Sequence, residues 1–318
     1  MGGNRRQRDI DRDVERRQRR FRDVRFVPFF LLADVQQHSA ALKRELSLPD
    51  LVFTLVLYIT GLGWLGTAAK LGSGHFSFWM LGAVLFYLPT AAVVIHLTQE
   101  MPLEGGLYQW AKLRFGELAG FLVAWNLWFY VVLSLSELGI ITTNNIAYAA
   151  GPSGAWIAES KAILITFSVL ITIIPMWVAI RGLSLGKWFH NVGGITLLIV
   201  FLTMLAFALP RWIAGNVAMA PIALSMPALT LFNLNIFGKM SFGALGGCEA
   251  ITVFAGECQD PNSAKVIRRA VLLSAPIVVA LFSIGTACVL VYTAPDKLDL
   301  VSAVAQNIRD RKSTRLNS

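Results

Sequence analysis

Charged side chains are unevenly distributed along the chain, and beyond residue 48 they separate long apolar runs. A helix needs about 20 mostly apolar residues to cross the hydrocarbon core of a bilayer. The runs are too long for barrel strands and lack their period-two alternation. The pattern therefore predicts seven membrane-spanning helices, near residues 49–70, 77–98, 117–147, 161–181, 186–209, 231–256 and 267–293.

The composition supports an integral membrane protein and excludes several other classes. Of the 318 residues, 55% are hydrophobic and 15% charged, whereas an average soluble domain carries about 25% charged residues. A disordered chain needs low hydrophobicity and high charge density. Three cysteines are too few for a disulfide framework. The net charge of +9 does not by itself indicate a nucleic-acid partner, because such binding requires cations clustered on a folded face. We expect none.

The distribution of cations predicts the orientation in the membrane. Residues 1–48 form a basic tail with 12 Lys and Arg and seven Asp and Glu, which we expect to be disordered. If this tail is cytoplasmic, the inner segments hold 19 Lys and Arg and the outer loops four. The positive-inside rule then predicts a multi-pass, lipid-embedded protein of the cytoplasmic (inner) membrane with a cytoplasmic N-terminus.

Two predicted spans contain glycine clusters near their centres, at 60–64 and 242–249. One such cluster is more typical of close packing between helices. However, five spans separate the first from the sixth, so the two helices run in opposite directions. Matching interrupted helices in inverted halves indicate the substrate site of a transporter. Their free N–H and C=O groups would suit the carboxylate and ammonium of an α-amino acid.

The link between the second and third spans carries the most specific motif. It reads Met101-Pro102-Leu103-Glu104-Gly105-Gly106-Leu107-Tyr108-Gln109-Trp110, followed by Phe115-Gly116 and Gly120-Phe121. With the two glycine clusters, the chain resembles the amino acid–polyamine–organocation permease superfamily over residues 43–300. The resemblance implies an all-α membrane protein with the leucine-transporter-type fold of five plus five inverted helices. Residues 49–309 would supply helices 1–5 and helices 6–7 of its core.

The resemblance also implies where the substrate binds. The residues that match the family's site, together with their neighbours, are Thr60, Gly61, Leu62, Gly63, Trp64, Phe121, Phe242, Gly243, Ala244, Leu245 and Gly246. The family often has a gating aromatic residue in helix 6, and Gly243 stands at that position. Either Phe242 replaces the gate, or the pocket is roomier. We expect no catalytic residue, cofactor or metal, because the histidines and cysteines lack metal-ligand spacing.

Glu249 matches the family's helix 6 glutamate and is the candidate for proton coupling. A charged carboxylate at this depth is costly, so the residue is suited to take up and release a proton. The alternative is a neutral acid hydrogen-bonded to free backbone at the break. The fifth span lacks the lysine that replaces sodium in some members, so the coupling ion is H⁺ or Na⁺.

Residues 310–318 resemble one reading frame of a common sequencing adapter, and we expect them to be an artefact that truncates the permease. An isolated fragment of this kind would be inactive. For the parent protein, the sequence predicts a secondary transporter of amino acids that is proton-coupled and works by alternating access. The alternatives are an exchanger of amino acids or polyamines and a non-transporting amino acid sensor. No feature indicates an enzyme.

Overall fold

The computed structural model describes residues 44–298 except 102, 104 and 261, together with residues 303, 304 and 306. Most of the predicted basic tail and the whole predicted adapter segment lie outside the described residues. So do Pro102 and Glu104 of the glycine-containing motif between the second and third spans.

The described part of the chain is helical, and its strand-like pairing is limited to one bridge, between Leu46 and Cys258. The α-helices are α1 (Leu48–Ile59), α2 (Gly63–Ala69), α3 (His75–Gly82), α4 (Leu88–Glu100), α5 (Gly106–Phe115), α6 (Glu117–Ala150), α7 (Ala155–Glu159), α8 (Lys161–Arg181), α9 (Leu183–Ile213), α10 (Leu231–Gly238) and α11 (Ser263–Tyr292). Two π-helical segments, Ala83–Tyr87 and Lys239–Ala244, and a 3₁₀-helix, Cys248–Glu257, complete the regions that matter for the site.

Among the described residues, five helical segments are long and apolar enough to cross a membrane. They are Gly72–Glu100, Glu117–Ala150, Lys161–Arg181, Ser184–Ile213 and Ser263–Tyr292. The pair α1 and α2, bent by 53°, gives a sixth span if counted as one. The predicted span 231–256 is not one continuous helix, because it ends at Ala244 and resumes at Cys248. The prediction that this sixth span is interrupted is confirmed.

The core forms around α11, which packs against α1, α2 and α9. Large side chains of α3 and α11 meet inside it, where the rings of Trp79 and Phe282 stack with centroids 4.5 Å apart. By contrast, α6 and α8 pack on each other and leave most of their apolar surface exposed. In a bilayer, such surface contacts lipid tails or other membrane helices. The structure therefore describes an integral, multi-pass membrane protein.

The segment before α1 pairs with the segment that follows the 3₁₀-helix. The backbone N–H groups of Glu45 and Leu46 both donate to the carbonyl of Glu257, at 2.9 and 3.0 Å, and Gln259 N–H donates to the carbonyl of Leu46 at 2.9 Å. Lys187 Nζ, near the start of α9, donates to the Glu45 carbonyl at 3.4 Å. These bonds join the segment that leads into the first broken span to the segment that leaves the second, at one end of the bundle.

Glu257 makes this junction sensitive to pH. It follows the predicted span 231–256, and burial, together with the nearby Glu45 carboxylate, raises its pKa above the ordinary value. A raised pKa in the folded state means that the charged carboxylate costs stability at neutral pH. That cost disappears as the pH falls below the ordinary value, because both states are then protonated.

We therefore expect Glu257→Gln to raise the melting temperature by about 1–3 °C at pH 7 and by much less near pH 4. The gain is small because the side chain is only partly buried and solvent screens the repulsion. Thermal melts of detergent-solubilised protein at the two pH values measure it. Glu117→Gln, which changes an exposed carboxylate, is the control. A gain of the same size at both pH values would contradict the assignment.

Candidate functional site at two helix breaks

The first break separates α1 from α2. Thr60 N–H still donates to the Val56 carbonyl at 2.9 Å, and Trp64 N–H donates to the Gly61 carbonyl at 3.2 Å. Between them, the N–H groups of Leu62 and Gly63 have no backbone acceptor within the described part of the chain. The break thus leaves adjacent donors unused, although unpaired backbone groups are costly in a membrane interior.

The second break lies between the π-helical segment and the 3₁₀-helix. Leu245 N–H donates to the Met240 carbonyl at 3.0 Å, which continues the wide π-type turns, and such turns are frequent at functional sites. Gly247 then adopts a φ of +112°, in the left-handed region that favours glycine. Its N–H donates to Glu249 Oε2 at 3.2 Å. A side chain from beyond the break therefore holds the turn.

The two breaks lie side by side. A β-carbon added to Gly247 would lie 2.7 Å from Tyr58 Cε1, in the last turn of α1. A β-carbon added to Gly243 would lie 2.6 Å from Trp64 Cη2, in α2. The glycines of the second break therefore permit direct contact with both halves of the first. The structure brings together the two clusters that the sequence placed in separate spans.

Two hydroxyl groups next to the breaks are buried without a hydrogen-bond partner in the described structure. Thr60 and Ser241 are each 3% exposed, and neither Oγ1 of Thr60 nor Oγ of Ser241 has a partner. Buried polar side-chain atoms are normally hydrogen-bonded, so such groups call for an explanation by an ion, water or ligand. Ser241 was not predicted as a site residue, although it directly precedes the second glycine cluster in the sequence.

The remaining predicted site residues are placed differently. Ala244 and Leu245 are buried at the second break and Gly246 is partly buried there. Phe242 is 72% exposed, and its ring packs against Phe86 with centroids 4.7 Å apart. Phe121 is 60% exposed on α6, where its ring pairs with Trp125 rather than with an aromatic side chain of the breaks. The role of Phe121 on the substrate path stays a prediction.

Glu249 lies directly after the second break and is partly buried. Besides accepting the Gly247 N–H, its carboxylate interacts electrostatically with the phenols of Tyr58 and Tyr87. Tyr58 and Tyr87 were not predicted as site residues, and only the fold brings them to the glutamate. Within the described ranges, no group of three or more His, Cys, Asp or Glu side chains could hold a metal ion.

Residues 46–307 match the family model described as amino acid permease. The chain belongs to this family. The match covers both breaks, the motif between the second and third spans and the whole of α11. It confirms the superfamily indicated by the sequence motifs, and the members found by similarity are named as transporters rather than enzymes.

Three relatives illustrate the range of these permeases. An uncharacterized transporter of Legionella pneumophila is 25% identical over 82% of this chain and 56% of its own length. A protein of Lactococcus lactis named as a probable agmatine/putrescine antiporter is 21% identical over 84% and 56%. The aromatic amino acid transport protein AroP of Corynebacterium glutamicum is 22% identical over 73% and 52%. The chain thus spans about half the length of the curated relatives that it matches.

Proposed function

We propose that the protein is a proton-coupled secondary transporter of amino acids or related amines in the cytoplasmic membrane, with its N-terminus in the cytoplasm. It works by alternating access, and its substrate binds where the two helix breaks meet. One observation carries the proposal: the two interrupted spans touch at their breaks, and each carries a buried hydroxyl without a hydrogen-bond partner in the described structure. Paired broken helices of opposite direction are typical of transporter binding sites.

The chemistry of the breaks supports a zwitterionic or amine substrate. The N–H groups of Leu62 and Gly63 are suited to a carboxylate, which accepts hydrogen bonds from the backbone. The hydroxyls of Thr60 and Ser241 are suited to an ammonium group, because each has a free lone pair to accept from it. Neutral groups of this kind can bind both charges of an amino acid without placing a permanent charge in the membrane.

The names of the relatives point to two substrate classes. One relative is named for aromatic amino acids and another for agmatine and putrescine. All of these carry an amino group, but only the amino acids carry a carboxylate. A carboxylate-binding set of N–H groups at Leu62 and Gly63 therefore favours amino acids over diamines. Exchange is the second candidate mechanism, because the relative of the second class is named as an antiporter.

Uptake into proteoliposomes tests the proposal. Protein expressed from the complete gene is reconstituted, and entry of labelled amino acids, agmatine and putrescine is measured with and without a pH gradient. Uptake driven by an inward proton gradient supports proton coupling. Uptake only into vesicles preloaded with substrate identifies an exchanger, whereas binding without flux identifies a sensor. The absence of both binding and flux for all these compounds would contradict the proposal.

Glu249 is proposed as the proton carrier. Its position beside the second break allows its protonation to change the bond that holds the Gly247 turn. We expect Glu249→Gln to abolish the pH dependence of transport, because glutamine keeps the length and an oxygen acceptor but cannot ionise. Rates of uptake between about pH 5 and pH 8 measure this. The exposed Glu117, changed to Gln in parallel, should leave the profile intact. An unchanged profile in Glu249→Gln would exclude the role.

A further inference from the structure

The indole of Trp64 lies between the two helix breaks. A β-carbon added to Gly61 would lie 3.0 Å from Cδ1 and 3.3 Å from Nε1 of Trp64. At the other end of the ring, a β-carbon added to Gly243 would lie 2.6 Å from Cη2 and 3.0 Å from Cζ2. A contact of 2.6 Å does not occur for real side chains, and a contact of 3.0 Å is tight. Gly243 is therefore required for the ring to occupy this position, and a side chain at Gly61 would press on its other end.

The orientation of the ring places its polar atom at the first break. Nε1 belongs to the edge that faces Gly61, the residue that precedes the unpaired N–H groups of Leu62 and Gly63 in the chain. No hydrogen bond of this indole N–H is formed with the described part of the chain. A buried or partly buried indole N–H usually finds an acceptor. Trp64 thus places a further donor at the first break, on a side chain that is only partly buried.

Phe242 does not occupy the corresponding place. It is 72% exposed, and its ring packs edge-on against Phe86. The space beside Gly243, where the resemblance would place a gating aromatic side chain, is instead filled by a ring from the other broken span. The two alternatives suggested by the sequence, a gate at Phe242 or a roomier pocket, stay predictions beside this arrangement.

We propose that Trp64 is the specificity-determining residue of the site, and that Gly61 and Gly243 are the small residues matched to it. The indole forms the wall that limits the size of the substrate's side chain, and its N–H contributes to binding the carboxylate. This inference rests on the proposed function, because it assigns a role within the same substrate site. It predicts that the size of residue 64 and the size of accepted substrates are inversely related.

The first experiment measures binding with substrates of increasing size. Protein expressed from the complete gene is placed in lipid nanodiscs, and the affinities for glycine, alanine, leucine, phenylalanine and tryptophan are compared between wild type and Trp64→Ala. We expect the ratio of tryptophan to alanine affinity to rise by at least about tenfold, since even a single methylene changes discrimination by about that factor. Trp156→Ala removes an indole that is 60% exposed, and it should leave the ratio unchanged.

The second experiment tests the pairing without any ligand. Gly243→Ala is expected to lower the melting temperature when residue 64 is tryptophan, because the methyl group meets the ring. The loss should disappear when Gly243→Ala is combined with Trp64→Ala. Gly238→Ala is the matched control in the same interrupted span, because a β-carbon there meets nothing within 4 Å. The change in melting temperature caused by Gly238→Ala should be the same whether residue 64 is tryptophan or alanine.

The two experiments separate this inference from the proposed function. If wild type binds none of the amino acids tested, the proposed function and the specificity role both fail, and coupled melting temperatures then reflect packing alone. If wild type binds but Trp64→Ala keeps the same size preference, the specificity role fails and the proposed function stands. A changed size preference together with coupled melting temperatures supports the inference. Uncoupled melting temperatures would overturn the matched pairing with Gly243.

Discussion

Gly247→Ala is expected to reduce substrate binding by at least about 100-fold and to destabilise the fold by about 2–4 kcal/mol. Two effects combine at this residue. Its φ of +112° is unfavourable for alanine, and the added β-carbon would lie 2.7 Å from Cε1 and 3.0 Å from Cδ1 of Tyr58. The turn would have to change its shape, which would move its N–H away from Glu249. Affinity measurements and thermal melts in nanodiscs detect the two losses.

Gly238→Ala provides the control for this change. It lies in α10 of the same interrupted span, where a β-carbon has open space around it, and alanine favours a helix more than glycine. We expect its melting temperature to equal or exceed that of wild type, and its affinity to be unchanged. If Gly247→Ala binds substrate as tightly as Gly238→Ala, the second break does not form the substrate site.

Gly106→Ala is expected to destabilise the fold by about 2–5 kcal/mol. The residue begins α5 with a φ of +42°, and an added β-carbon would meet Oγ1 of Thr252. It would also lie 2.6 Å from the β-carbon of Thr252 and 3.0 Å from its backbone carbonyl carbon. The backbone cannot yield as a side chain can. The expected result is a large fall in the melting temperature of the solubilised protein.

Two further variants separate the causes of this loss. Gly215→Ala has a comparable positive φ, +72°, but a β-carbon there meets nothing within 4 Å. It should therefore cost only the conformational part, about 1–2 kcal/mol. Combining Gly106→Ala with Thr252→Ala removes the hydroxyl that the new methyl group meets and should recover part of the stability. Equal losses for Gly106→Ala and Gly215→Ala would show that contact with Thr252 is unimportant.

Much of the fold follows from the distribution of apolar residues. The predicted helix 161–181 coincides with α8, and the predicted 117–147 differs from α6 by three residues at its end. Both helices are long and mostly exposed, so their bounds depend on local sequence and on the capping residues, which are Ser160 and Gly182 for α8 and Gly116 and Gly151 for α6. The start of the second span is less accurately predicted, because the helical segment begins at Gly72 rather than at residue 77.

The sequence located both breaks but not what surrounds them. Adjacent glycines within apolar spans were sufficient to predict the interruptions at 60–64 and 242–249. The contributions of Tyr58, Ser241 and Tyr87 were missed, because these residue types also occur in ordinary membrane helices. Their significance depends on unpaired hydroxyl groups and on proximity to Glu249, which no local pattern reveals.

For the motif between the second and third spans, too, the sequence revealed the local feature and only the structure revealed its contacts. Its paired glycines could be recognised from the sequence, and they begin α5 as expected for residues with positive φ. The sequence did not show that Gly106 lies against Thr252, or that Gly105 N–H donates to the carbonyl of Val253 at 3.5 Å. The motif therefore docks onto the 3₁₀-helix that carries Glu249.

By itself, the sequence determined that the protein is helical, membrane-embedded and interrupted at two places. The reason is that a bilayer demands long apolar segments with internally bonded backbone, and glycine is the residue that relaxes this demand. Only the tertiary structure decided that the two interruptions touch, that the Trp64 ring fills the space beside Gly243, and that Glu257 joins the segment before α1. Those contacts link residues far apart in the chain, and they depend on the shapes of both partners.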